Sequence, residues 1–148
     1  MEALSPASLA ASAAARKIRE GLLTSEELVA ACLERIRATE PSVQAWTFLD
    51  EEHALAQARA ADERKRSGEP IGALHGVPVG LKDIIDTADM PTENGTVLHK
   101  GRAPREDAAV VKALRAAGAV ILGKKRDVVD RAREQAHVVE RARQLEDA

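Results

Sequence analysis

The sequence predicts an α/β protein with a mainly helical N-terminal part, a βαβ unit and a charged C-terminal helix. Three observations carry this. Two short apolar runs, residues 79–81 and 119–123, are bounded by Gly or Pro and are too short for helices, so they read as buried strands. A turn-rich segment and a helical stretch separate them, and strand, loop, helix, strand implies parallel strands with a right-handed crossover. Upstream, apolar residues recur at helical spacing behind recognisable capping residues.

Each element has a local reason. Ser5-Pro6 offers an N-cap and a proline at the first helical position, and Gly21 a stop, for a packing helix with Leu9, Ala13, Lys17 and Ile18 near one face. Thr24-Ser25-Glu26-Glu27 is a capping box; Leu28, Cys32 and Ile36 then recur on one stripe until Pro41 is expected to end the second helix. Residues 43–49 hold the β-formers of a short strand, and Asp50 caps a third helix reaching about Arg66, closed by Ser67-Gly68. Arg59, Arg64, Lys65 and Arg66 read as a solvated face, because acidic residues are interspersed and no stacking aromatics accompany them. After residues 79–81, residues 87–96 form a loop of the kind that lines sites at parallel strand ends. Asp107 is expected to cap a helix through Val110, Val111 and Leu114, stopped by Gly118. From Lys124 onward there is no Gly, Pro or Ser, and Val128, Ala132, Gln135, Val139 and Ala142 fall on one stripe of a charged helix.

Composition narrows the function classes. The 148 residues hold one domain with a real core, and a net charge of −2 gives no general attraction to nucleic acid or acidic membranes. One Trp and one Phe are the only aromatics, so the core is built from Ala, Val, Leu and Ile and its stability is expected to be modest. Cys32 is alone, so no internal disulfide can form, and its helical position reads as a packing thiol rather than a nucleophile. No run of 18 apolar residues exists for a membrane span. The Ala-rich residues 9–15 come after acidic Glu2 and lack the basic start of a signal peptide, so the cytoplasm is the expected compartment. His53, His75, His99 and His137 show no metal-ligand spacing, and no metal or cofactor is expected.

The residue that points to chemistry is Lys82, at the end of an apolar strand beside small glycines. Alternation along a strand should turn Lys82 and Asp83 to opposite sides. Lys82 could act as a general base if burial lowered its pKa from about 10.4 to near 7–8. The structural alternative is a lysine bonded to loop carbonyls or paired with a carboxylate such as Asp86. His75 could line the same mouth or simply pack its turn, and Thr87, Thr92 and Thr96 read as turn formers.

The segment Gly76-Val77-Pro78-Val79-Gly80-Leu81-Lys82-Asp83-Ile84-Ile85-Asp86-Thr87 resembles the lysine segment of the amidase signature family. The likeness continues through Met90-Pro91-Thr92, Asp107-Ala108-Ala109-Val110-Val111 and Leu114-Arg115-Ala116-Ala117-Gly118-Ala119-Val120-Ile121-Leu122-Gly123-Lys124. Upstream, Leu22-Leu23-Thr24-Ser25-Glu26-Glu27-Leu28 and Ala45-Trp46-Thr47-Phe48-Leu49-Asp50 are similar to that family's opening helices and first strand. Order and spacing over roughly residues 5–124 make the resemblance specific.

The resemblance implies part of an α/β/α sandwich with a mixed sheet and an amide (C–N) hydrolase using a Ser–Ser–Lys triad. The family includes the glutaminase subunit of enzymes that amidate misacylated transfer RNA. In that scheme a neutral lysine takes a proton through a bridging serine, the second serine attacks the carbonyl, and backbone amides hold the oxyanion. Lys82 falls on the lysine position.

The departure lies in the serines, which the family places downstream of the lysine. The last serine here is Ser67, and residues 125–148 match nothing recognisable in the family. Residues 1–124 therefore read as the N-terminal part of an amidase-like domain and 125–148 as a divergent charged helical tail. The first expectation is an inactive truncated fragment, which would take a small-molecule amide only if completed by the missing region. The alternative is a non-catalytic binding or assembly module that self-associates through its C-terminal helix.

Overall fold

The second helix shows how local sequence begins the fold. Thr24 accepts the amide of Glu27 while the Glu27 carboxylate accepts the amide of Thr24, closing the capping box. The amides of Ser25 and Glu26 donate to Asp62 on the third helix, so the positive helix end is also docked to a carboxylate. The computed structural model describes residues 5–126. Among them are α1 (Ala11–Glu20), α2 (Ser25–Val43), β1 (Trp46–Leu49), α3 (Glu51–Arg66), β2 (Pro78–Lys82), α4 (Ala109–Ala116) and β3 (Val120–Lys125).

The described strands form a mixed three-stranded sheet in the order β1-β3-β2. β2 runs parallel to β3, as a βαβ unit requires, and β1 pairs antiparallel on the other side of β3. Helices cover both faces, each with its own apolar cluster. On one face Val29 and Leu33 of α2 and Ala54 and Ala58 of α3 pack on Val120 and Leu122. On the other, Val111 of α4 and Met90 pack on Leu81 and Ile121. This is part of an α/β/α sandwich. A third cluster, Ala14, Ile18 and Leu28, holds α1 on α2.

Several local expectations are corrected. The first helix does not run unbroken from Pro6: a 3-10 turn at Pro6–Ser8 gives way to extended Leu9 and Ala10, and α1 starts at Ala11. The break lets Leu9 pack against the Ala14, Ile18 and Leu28 cluster. Pro41 does not end α2, which continues to Val43 and closes on a left-handed Gln44. In the last turn the missing N–H costs one helical bond, and Glu40 anchors the exit from the helix: its carbonyl accepts the Gln44 amide and its carboxylate the Trp46 amide. The strand expected over residues 43–49 is consequently the shorter β1. Asp107 does not cap α4. The N-cap is Ala108, with no side-chain bond, and Asp107 accepts from the Ala88 amide and the Arg115 guanidinium instead.

Other expectations hold. Asp50 accepts the His53 amide at the start of α3, and Ser67 with left-handed Gly68 closes it. Arg59, Arg64 and Arg66 lie on the surface, paired with Glu26, Glu69 and Glu63. Cys32 is half-buried on α2, where burial pushes its thiol pKa up, as suits a packing residue. Among the described residues, no helix is long and apolar enough to cross a membrane. Of the tail expected over residues 125–148, Lys125 is the last residue of β3, and from residue 127 on the expected helix and self-association surface lie outside the described residues.

Candidate active site at the β2–β3 strand ends

Lys82 ends β2 directly opposite Lys125 of β3. Alternation sets Pro78, Gly80 and Lys82 on one face and Val79 and Leu81 on the other. The Gly80 face is crowded: a side chain there would meet the Trp46 ring at 2.8 Å and the Lys125 stem at 2.9 Å. Glycine thus leaves room beside Lys82 for Trp46, over which the Lys125 ammonium sits 5.7 Å from the ring centroid. Lys82 is exposed and Asp83 is buried, which is the opposed orientation expected from the strand.

A folded loop leaves Lys82. The turn closes with the Ile85 amide donating to the Lys82 carbonyl at 3.0 Å, and the Asp83 amide donates to the Lys125 carbonyl at 2.9 Å. Asp83 then organises the far side of the loop. Its carboxylate accepts the Glu93 amide at 3.0 Å and its carbonyl the Asn94 amide at 2.9 Å. A cavity of about 310 Å³ opens here, lined by Thr47, Asp83, Glu93, Thr96, Lys100 and Arg126 among others. It lies at the C-terminal ends of parallel strands, where α/β sheets place ligands.

The carboxylate suggested as a partner for Lys82 is engaged elsewhere. Asp86 takes a two-pronged pair from Arg102, at 2.6 and 2.8 Å, and those hydrogen bonds hold its carboxyl below the usual range. Arg102 also donates to the Thr92 carbonyl, which knots the two ends of the loop. His75 does not share the Lys82 mouth. It is buried before β2 begins, with Nε2 2.9 Å from the Ala61 carbonyl and its ring against Gly118, so it packs its turn. Thr87 is a turn former as expected, donating to the Met90 carbonyl, and Thr96 caps a 3-10 turn.

The residue that sequence reasoning passed over is Lys124. It is fully buried, and its ammonium donates to the Ile85 carbonyl at 2.5 Å and to the Thr92 hydroxyl at 2.6 Å. Burial pushes its pKa down, against the charges of Asp83, Asp86 and Asp89, which raise it; Arg102 adds to the lowering. The buried strand-end lysine bonded to a loop carbonyl is therefore on β3, and the exposed one is on β2. A signal was available, since residues 120–124 are an apolar run ending in lysine just as residues 79–82 are. Among the described residues no group of His, Cys, Asp and Glu is arranged to hold a metal.

The arrangement defines a class: an α/β protein presenting a lysine and a glycine-bearing loop at parallel strand ends. The Amidase family profile matches residues 27–126, and the chain belongs to that family. It is 47% identical over 116 residues to a glutamyl-tRNA(Gln) amidotransferase subunit of Chloroflexus aggregans, covering 78% of this chain and 24% of that protein. The corresponding subunit of Streptomyces coelicolor is 47% identical, with 78% and 23% covered. Among solved structures, the peptide amidase of Stenotrophomonas maltophilia superposes with a TM-score of 0.74 at 38% identity, over 80% of this chain and 25% of that one. A fatty acid amide hydrolase gives 0.76 at 28% identity, over 81% and 21%. The chain thus spans about a quarter of the length of the curated relatives it matches.

Proposed function

We propose that this chain carries the lysine of an amide-hydrolysing centre, with Lys82 as the general base of a Ser–Ser–Lys triad. The observation that supports it most is the place of Lys82: exposed at the C-terminal end of a parallel strand, in the segment that resembles the family's lysine motif. The neutral amine would take a proton relayed by a bridging serine from the nucleophilic serine, whose oxygen attacks the carbonyl. The proton then passes to the departing nitrogen, and water later frees the acyl group. The serines are not among the residues downstream of Lys82 here, because Ser67 is the last serine in the sequence. The substrate class is an amide, and a cytoplasmic setting belongs to the same reading.

The test is a chimera in which residues 1–126 replace the matching part of the Chloroflexus aggregans relative, assayed for cleavage of a simple aryl amide. The chimera is expected to turn over, and Lys82→Ala to lower kcat about 10²–10⁴-fold with its melting transition retained. The 148-residue chain alone is expected to release no amine. A chimera indifferent to Lys82→Ala, or steady hydrolysis by the chain alone, would overturn the scheme.

A further inference from the structure

We propose that Lys124 is the positioning residue for Lys82: its buried ammonium holds the turn that sets where Lys82 leaves β2. The inference rests on the reading of Lys82 as the base. Lys124 stands opposite Leu81 in the register of β2 and β3, one residue before the Lys82–Lys125 pair. Its ammonium is sealed under the loop and bonded at two points, the Ile85 carbonyl and the Thr92 hydroxyl. Ile85 is the residue whose amide closes the turn on the Lys82 carbonyl. One peptide residue therefore joins the two lysines: ammonium to Ile85 carbonyl, Ile85 amide to Lys82 carbonyl.

Packing alone does not call for a lysine at this point. A methionine of similar length would fill the space without losing hydration. What the ammonium adds is a charged donor that two chain segments, residues 82–87 and 90–92, can share from below. Thr92 completes the tether from its own side, since its amide donates to the Arg102 carbonyl and its carbonyl accepts from the Arg102 side chain. A base must sit within a few tenths of an ångström of its proton path, so a fixed turn beneath it has a direct consequence for rate.

The experiment uses the isotopically labelled 148-residue chain and compares wild type with Lys124→Met. Amide exchange at Ile85 is expected to accelerate at least tenfold, while Val120, bonded to the Val77 carbonyl in the β2–β3 ladder, keeps its protection. The Lys82 side-chain ¹³Cε–¹Hε correlation is expected to shift or broaden in the same variant. Unchanged exchange at Ile85, or equal loss of protection at Ile85 and Val120, would overturn the proposal. Should Lys124→Met not fold, Thr92→Val and Thr92→Ser take its place. The valine is expected to accelerate Ile85 exchange at least threefold and the serine, which keeps the hydroxyl, to leave it within twofold; equal effects of the two would also overturn it. No turnover is needed. A chimera indifferent to Lys82→Ala would remove the catalytic reading and leave the exchange result standing, whereas unchanged Ile85 exchange removes only the positioning role.

Discussion

At the scale of single residues, close backbone approach decides what the central strand tolerates. A side chain at Gly123 would lie 2.2 Å from the Phe48 carbonyl oxygen, an atom held in the β1–β3 pairing. At Gly80 the nearest atoms are the far edge of the Trp46 ring and the methylene stem of Lys125, side-chain rather than backbone atoms, which can shift. Gly123→Ala is therefore expected to cost about 3 kcal/mol or more and Gly80→Ala about 1 kcal/mol, read from urea midpoints. Lys124 makes a prediction of opposite character. Burial lowers its folded pKa below the unfolded value of about 10.4, with Asp83, Asp86 and Asp89 opposing and Arg102 assisting. Between those two values the unfolded chain binds more protons, so the lysine contributes rising stability as pH climbs toward about 10. Cys32, pushed up by burial, contributes the opposite slope in the alkaline range and is common to both chains. Urea midpoints measured from pH 7 to 10 are expected to fall more steeply, or rise less, in Lys124→Met than in wild type.

At the scale of elements, the loop after β2 behaves as a built part rather than a connection. Arg102 clasps Asp86, Asp83 collects the amides of residue 93 and its neighbour, and a bridge between Thr87 and Met90 tightens the near end. The clasp has an acid signature. The Arg102 hydrogen bonds hold the Asp86 carboxyl below its unfolded value near about 3.9, so its contribution is complete above that pH and is lost as pH falls through the lower folded value. For Asp89 burial acts upward, but hydrogen bonds from His53 and Arg115 with the Arg115 charge outweigh it and give the same direction. Wild-type stability is thus expected to fall below about pH 4. In Arg102→Met that decline should be shallower, because Asp86 then titrates near its ordinary value in both states; the check is the urea midpoint tracked from pH 5 downward.

At the scale of the molecule, the two faces of the sheet are held unequally. The α2–α3 face carries Val29, Leu33, Ala54 and Ala58 at full burial, while the α4 face relies on Val111 and Met90 over Ile121 and Leu81. With one Trp and one Phe in the chain, aliphatic packing carries the stability. Leu33→Ala is expected to cost about 2–5 kcal/mol and to lower the single cooperative transition as a whole, seen as coincident shifts in circular dichroism and Trp46 fluorescence. Trp46 sits at the site end of β1, so loss of the helical face should reach the strand ends that carry Lys82.

Much of this was legible in the residues because its causes are local. The Thr24 capping box, the Asp50 cap, the Gly68 stop and the alternation that opposes Lys82 to Asp83 depend on neighbours a few positions away, and each stands where the pattern put it. The βαβ order was likewise readable from the spacing of apolar runs, and the family resemblance from the residues of the segment around Lys82 and the motifs that follow it in order. Pro41 and Asp107 show where local rules lose: Glu40 carries α2 past the proline, and Arg115 and Ala88 take the carboxylate that would have capped α4. The difference matters most for the lysines. Residues 79–82 and 120–124 end alike in lysine, and no periodicity says which ammonium is covered. That was decided by the loop from Lys82 folding back over β3 and bringing Ile85 and Thr92 onto Lys124, because burial is a property of what the rest of the chain lays on a residue and not of the residues beside it.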